Sequence, residues 1–400
     1  MLSILFVIYE ILIKMFLNIH LLSFTRNGYL TQASTFVMLE RFRLSSKLLK
    51  KLVGHTRNVL SIDYSTFDNR HLLCSGSEDK TVCVWNLENN TQIRQFNGHS
   101  DFVYCVKFSP YHCNKYRRNV ICSSSNDNTI RFWDIKSSRQ LQVFKKHTFA
   151  VCGIEVSPFN GGRYLCSGSR DKTIRLWDVD TSKSLHVFNG HNWTVWCVDI
   201  SPLQSNNKSG NDNDKSSHIG LIGGNGYTIC SGSLDATIRI WDIETAKQLI
   251  VFKGHENNVR SVKYGSNKLK IIGGSNTILS GSADNSVRLW DIRSGRQIQA
   301  FNGHTNIVWA VEYSPLVVNN VDAGGSSAVI CSGSWDSTIR FWDIRSNKNE
   351  LYVVKRDYGQ CDGVFCLKFV PLKKKVNNKR RELNSVNLCY GSSNYINVWG

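Results

Sequence analysis

Between Gly190-His191 and Trp241-Asp242 the chain reads as a succession of short strands. Val195-Trp196-Cys197-Val198-Asp199-Ile200 is an alternating first run, and Ile229-Cys230-Ser231-Gly232-Ser233 is the second. A tight turn at Asp235 leads into Thr237-Ile238-Arg239-Ile240-Trp241, and Gln248-Leu249-Ile250-Val251-Phe252 forms a fourth run before the next Gly254-His255. Period-two runs of this length, separated by Gly, Asp and Asn, are the pattern of short strands joined by turns. The unit recurs. Gly54-His55, Gly98-His99, Lys146-His147, Gly254-His255 and Gly303-His304 open five more copies. Trp85-Asn86, Trp133-Asp134, Trp177-Asp178, Trp290-Asp291 and Trp342-Asp343 close them. A chain of this length could hold two or three domains, but the periodicity makes it one repeat array.

Composition agrees with that reading. The 400 residues are 41% hydrophobic and 20% charged, enough apolar content for a large interior. Proline is scarce (5) while Trp (11), Tyr (14) and Phe (19) are plentiful, which suits many short strands. The 13 cysteines include no C-x-x-C pair, so no zinc or thioredoxin-type motif is signalled. Cys74, Cys122, Cys166, Cys230, Cys331 and Cys389 recur in one repeat slot, and Cys105, Cys197 and Cys366 in another, as small buried hydrophobes would. Unpaired thiols in core slots predict a reducing compartment, cytoplasmic or nuclear. The formal charge of +18 raises nucleic acid or anionic lipid as partners. That support is weak, because Arg131, Arg175, Arg239, Arg288 and Arg340 share one repeat-equivalent position and spread around the array.

The Gly-His and Trp-Asp marks, repeated six times, resemble the WD40 family over roughly Ser46 to Gly400. A seventh unit is degenerate: Val364 to Phe369, Leu388 to Ser392 and Ile396 to Trp399 match the first three strands. Its His slot falls to Asp357 or Gln360, and its turn Asp to Asn394 or Ser393. The chain stops at Gly400 without that unit's fourth strand, while Lys47-Leu48-Leu49-Lys50-Lys51-Leu52-Val53 has the fourth-strand pattern at the other end. Pairing the two ends would close a ring and cover its open edges. The expectation is an all-β, seven-bladed propeller over residues 46–400, preceded by an N-terminal extension of residues 1–45.

In the family that this chain resembles, the Gly-His histidine, a strand Ser or Thr, the turn Asp and the closing Trp form a hydrogen-bonded network in each blade. Here the resemblance implies His55, Asp79 and Trp85 in the first unit and His99, Asp127 and Trp133 in the second. His147, Asp171 and Trp177 follow, then His191, Ser231, Asp235 and Trp241. His255, Asp284 and Trp290, and His304, Asp336 and Trp342, complete the set. A buried indole N–H and a buried carboxylate each need a partner, which gives the network its chemistry. Ser, His and Asp also make up a hydrolase triad, but six copies argue for scaffolding, since catalysis needs one site.

No other enzyme signal survives. The chain has no G-x-x-x-x-G-K-[S/T] loop and no H-E-x-x-H, and Gly223-Gly224-Asn225-Gly226 leads into a strand rather than a helix. The histidines outside the repeat slot (His20, His71, His112, His186, His218) lack metal-ligand spacing. No enzyme activity, cofactor or metal is expected.

Two positions per blade lie on the top rim of a propeller of this kind. The residues flanking the first strand's opening Val give Phe102 and Tyr104, Trp196, Arg260, Ile307 and Trp309, and Phe365. The residues before the turn Asp give Glu78, Asn126, Arg170, Leu234, Ala283 and Trp335. Large aromatics with arginine are the composition of a recognition hot spot. Phe102, Tyr104, Arg170, Trp196, Arg260, Trp309, Trp335 and Phe365 are therefore the candidate partner-binding residues. Trp335 has nothing obvious to pack beneath it; the bland reading is that such rings fill the upper channel or the blade seams.

Insertions fall on the opposite face. Leu203 to Ile219 reads as disordered, and Pro371 to Arg381 is the densest basic run, with Lys373, Lys374, Lys375, Lys379, Arg380 and Arg381. Leu2 to Leu22 is apolar but carries Glu10, Lys14, Asn18 and His20. Central charges cost about 2.5–3.5 kcal/mol each in a membrane helix. The readings left open are an anchor that keeps the propeller in the cytoplasm, a helix packed on the propeller or a partner, and a poorly structured extension that reflects a start mis-assigned upstream of Met38. The leading function is a non-catalytic scaffold binding a peptide or protein surface on the top face, as a monomeric propeller within a larger complex. The alternatives are a substrate receptor of a cullin-type ubiquitin ligase, through the Trp-Asp-x-Arg boxes ending in Arg293 and Arg345, and a histone- or polyanion-binding subunit.

Overall fold

The computed structural model describes residues 37–68, 70–201, 227–265, 276–320, 325–345, 350–355, 362–373 and 384–400. Leu2 to Leu22, Leu203 to Ile219, Asp357, Gln360 and the basic run after Lys373 lie outside them. The described chain forms seven sheets, each built on four antiparallel strands, and they are arranged as the expected seven-bladed propeller. Blade four shows the pattern. Val195–Ile200 is innermost, Thr228–Ser233 and Ile238–Asp242 follow, and Gln248–Phe252 is outermost. The innermost strands of neighbouring blades touch one another around the ring axis.

Apolar residues at alternate strand positions fill the seams between blades. In blades one to five the last Phe of the outer strand meets the closing Trp of the next blade: Phe188 lies 6.0 Å from Trp241 between ring centroids, and Phe252 lies 5.5 Å from Trp290. The second-strand glycine sets how closely two blades approach. A Cβ on Gly232 would lie 2.6 Å from Cγ1 of Val259 in the next blade, and one on Gly281 would lie 2.7 Å from that of Val308. The Gly of Gly-His makes room for an indole in the same way, since a Cβ on Gly190 would meet Trp241 at 2.9 Å.

The ring closes through the chain's two ends. Leu48–Val53 lies antiparallel to Tyr395–Trp399, with Leu48 opposite Trp399 and Leu52 opposite Ile396. Leu52 is 2% exposed and packs with Val59 and Ile62 of blade one and Ile396 and Val398 of blade seven. Blade seven's first hairpin, Cys366–Lys373 with Asn384–Gly391, carries Pro371 to Lys373 as strand rather than loop, as blade six extends its own hairpin to Asn320 and Gly325. Residues 37–45 are also integral. Val37–Met38 runs parallel to Leu316 and Val317, and the helix Leu39–Ser45 buries Leu39 and Phe42 beside Phe341 and Leu388. The expected division after residue 45 thus crosses a packed stretch. Among the described residues no helix is long and apolar enough to cross a membrane.

The closing strand should hold the whole ring. Leu52→Asp places a charge in a closed apolar seam and is expected to lower the unfolding midpoint and raise hydrogen exchange first in blades seven and one. Wild-type exchange in those two blades would show that the strand does not act as a clasp.

Candidate functional site

Each of the first six blades contains one directional chain of hydrogen bonds. The Trp Nε1–H donates to the strand Ser Oγ at 2.8–2.9 Å. The Ser Oγ lies 2.7–2.8 Å from His Nε2. The His Nδ1 lies 2.6–2.8 Å from an oxygen of the turn Asp. An indole can only donate and a carboxylate only accept, so a neutral imidazole with its proton on Nδ1 satisfies every link. The other carboxylate oxygen accepts from a Thr or Ser hydroxyl two residues on, at 2.6 Å in blade four. Every Ser, His and Asp here is committed to this chain, and the six serines are fully buried. The repeated arginines serve the same frame: Arg131 Nη1 donates to Gln140 at 2.8 Å, and Arg288 Nη1 to Gln297 at 2.9 Å.

Blade seven replaces the chain. Tyr390 occupies the strand-Ser slot, and the Nε1 of Trp399 is buried without a partner. Asp362, which precedes the inner strand, accepts from Ser393 Oγ and from the Tyr395 hydroxyl at 2.9 Å. Ser393 and Asn394 both stand at the turn, and the carboxylate comes from Asp362, which sequence reasoning did not single out.

The top rim is built by a repeated irregularity. In blades one to six the inner strand's pairing slips immediately after its opening Val, as between Val195 and Cys197 or Val259 and Ser261. A bulge leaves one residue unpaired and re-aims its side chain. Those residues include Tyr104, Trp196, Arg260 and Trp309, and Phe365 enters from blade seven. They line the mouth of an axial cavity of about 160 Å3 bordered by all seven inner strands.

At the mouth the rings meet in one cluster. Tyr104 lies 5.4 Å from Trp196, Trp196 lies 5.8 Å from Trp309, and Trp309 lies 5.7 Å from Phe365, each edge-on. Trp335 packs against Trp309 at 5.9 Å and Phe365 at 5.7 Å while staying 41% exposed. It is therefore the outer wall of the cluster and does not stand alone. The Arg260 guanidinium sits between two indoles, 4.5 Å from Trp196 and 4.7 Å from Trp309. Burial presses its pKa below the ordinary value. Phe102 is half-buried and makes no ring contact with the cluster, and Arg170 is exposed on the rim.

Sequence reasoning missed two layers. Phe149 and Trp193, two residues after their blade histidines, are each 62% exposed on the top face; Arg57, Asp101, Asn257 and Asn306 fill that slot elsewhere. Below the mouth, the charged residue of each inner strand forms a ring: the acids Asp63, Glu155, Asp199 and Glu312 with the bases Lys107, Lys263 and Lys368. Lys107 pairs with Glu155 at 2.5 Å, Lys263 with Glu155 at 3.5 Å, and Lys368 with Asp63 at 3.1 Å. Burial works against the Glu155 charge, but Lys107 and Lys263 outweigh it and hold the carboxyl low; burial dominates at Asp199 and pushes it up. A fixed charge in every copy of an apolar strand was the available signal. Arg293 and Arg345 lie exposed at the opposite ends of the blades, with the Arg293 side chain 2.8–3.1 Å from the Asn276 amide.

The model of the WD domain, G-beta repeat, matches residues 46–86, 90–134, 138–178, 182–242, 246–291 and 295–343. The chain belongs to the WD40 family. Individual relatives are similar only over short stretches. WD repeat and SOCS box-containing protein 1 of Xenopus tropicalis is 37% identical over 67 residues, 16% of either chain. Nuclear distribution protein nudF 1 of Talaromyces marneffei is 43% identical over 60 residues, 15% of this chain and 13% of its own. The peroxisomal targeting signal 2 receptor of Mus musculus is 37% identical over 57 residues, 14% of this chain and 18% of its own. This chain thus spans less than a fifth of each relative. What the WD40 propeller supports is a protein-interaction scaffold, a fold that is typically non-catalytic.

Two measurements test the blade network. Ser231→Ala strands both the Trp241 indole and the His191 Nε2, and is expected to cost about 1–3 kcal/mol in urea unfolding; a neutral result would remove Ser231 as the hub. The second is pH. Burial opposes the charge on Asp79, Asp127, Asp171, Asp235, Asp284 and Asp336, but the hydrogen bonds from His and from Thr or Ser outweigh it and hold these carboxyls well below the usual range. Their stabilisation is complete above the unfolded value of about 4 and is lost as pH falls from there. Burial lowers the His191 and His255 pKa values despite their Asp partners, so these imidazoles resist protonation. Tm is expected to decline gently below about pH 6.5 and steeply below about pH 4. A Tm unchanged from pH 7 to 3 would contradict this.

Proposed function

We propose that the chain is a non-catalytic scaffold that docks a peptide or protein surface on the top face of its propeller. The observation that carries this reading is the aromatic and arginine cluster at the channel mouth, flanked by exposed Phe149, Trp193 and Trp335. Blade-to-blade variation concentrates in the bulge and turn slots, while the buried network repeats almost unchanged. Large rings around a half-buried arginine are the make-up of an interface hot spot. Partner-binding roles for Tyr104, Trp196, Arg260, Trp309, Trp335 and Phe365 belong to this proposal, with Arg170 at the rim.

A second reading rests on the opposite face. The exposed Arg293 and Arg345, each in a Trp-Asp-x-Arg box, could present a contact for the adaptor of a cullin-type ubiquitin ligase. One capture experiment from cell lysate separates the two, comparing the wild-type chain with Phe149→Ser/Trp193→Ser/Trp335→Ser and with Arg293→Ala/Arg345→Ala. All three replaced aromatics are exposed, so a folded variant is expected. The expected outcome is loss of most partners from the top-face variant alone. Partners kept by it but lost from the arginine variant, a ligase adaptor among them, would move the function to the opposite face.

A further inference from the structure

The channel mouth has donors in excess of acceptors. Arg260 lies between two indole faces, its Nε buried without an acceptor, and none of its guanidinium nitrogens donates to a described residue. The Nε1 of Trp309 beside it is buried without a partner as well. No carboxylate among the described residues comes within ion-pair distance of Arg260. The groups that act on it most strongly are Cys152, Cys197 and Tyr104, none charged at neutral pH. Of the four channel carboxylates below it, Asp63 and Glu155 face lysines and Asp199 accepts from the Tyr264 backbone at 2.8 Å, while Glu312 makes no ion pair with Arg260.

Arg260 is half-buried with its Nε enclosed; cation–π attraction offsets part of that desolvation, but a partly desolvated cation without a counter-charge remains costly. A partner that brings an anion to the mouth relieves that cost, and one that brings only apolar groups worsens it. We propose that the mouth receives the side-chain carboxylate of a Glu or Asp in a partner peptide, paired with the terminal nitrogens of Arg260. This rests on the top face being the binding surface. One guanidinium flanked by neutral rings matches a single negative charge; a dianionic phosphoryl group would leave charge unpaired inside the cluster. The exposed Arg170 on the neighbouring rim adds attraction at longer range, and Phe149 and Trp193 offer apolar contacts to the residues that flank the acid.

The test uses the full chain and a displayed library of random linear peptides with blocked C-termini. Enriched peptides are expected to carry Glu or Asp at one shared position. A synthetic copy of one such peptide, and its counterpart with that acid as Gln or Asn, are then titrated against the wild type, Arg260→Met, Arg260→Lys and Phe149→Ser/Trp193→Ser. Loss of the carboxylate should weaken binding to the wild type by about tenfold or more. It should make no difference to Arg260→Met, while Arg260→Lys should retain part of the preference; thermal melts report that each variant is folded. Peptides that need Phe149 and Trp193 but bind equally well with the acid neutralised would overturn this inference and leave the top-face reading standing. Peptides indifferent to every top-face change, or no enrichment, would overturn both.

Discussion

The serine hydroxyl at the centre of each blade is the contact on which the rest of this propeller depends. It accepts from the closing tryptophan and donates to the histidine, and the histidine in turn fixes the turn aspartate. An imidazole with its proton on Nδ1 satisfies both of its links at once. The chain joins the second strand, the third strand, the top turn and the segment entering from the preceding blade. A blade therefore cannot loosen at one of these places without unpairing a buried group at another, and unpaired buried groups are expensive. Six repetitions give a rigid frame in which the top-face slots are free to vary.

That division of labour explains where the chain's individuality lies. The bulge residue of each inner strand is outside the ladder, so its side chain is not dictated by pairing. Leu60, Tyr104, Cys152, Trp196, Arg260 and Trp309 occupy this one slot and share almost no chemistry. Their neighbours one layer down, Ser61, Cys105, Gly153, Cys197, Ser261 and Ala310, are all small. Small residues in the crowded layer and diverse ones at the mouth are what a rigid ring with one adaptable end requires.

The network was legible in the sequence because each copy checks the others: a His, a Ser-Gly-Ser run and a Trp-Asp at fixed spacing leave little freedom for where they sit. The ring closure was legible for a related reason, since a missing strand at Gly400 and a surplus one at Leu48 complement each other. What could not be read was any contact between slots on different blades. Trp335 lacks support along its own turn, yet its supports are Trp309 in its own blade's bulge and Phe365 in the next. Arg260 reads as one more rim residue, but its two indoles come from blades four and six. The charge ring was visible as single charges in apolar strands. Only the ring geometry shows that Glu155 in blade three is reached by both Lys107 of blade two and Lys263 of blade five.

Blade seven brings these arguments to one place. It lacks the serine hub, leaves the Trp399 indole unpaired, and borrows its outer strand from the other end of the chain. It lacks the bonds that brace the other six, and local opening starts where buried contacts are fewest. Three things hold it instead: Leu52 in the seam with blade one, Asp362 at its top turn, and Phe365 against Trp309 and Trp335 of blade six. The last of these is also part of the channel mouth. A ligand that packs on Trp309 and Phe365 would therefore bear on the same contacts that keep the final blade seated, and binding at the mouth and closure of the ring share one set of aromatic surfaces.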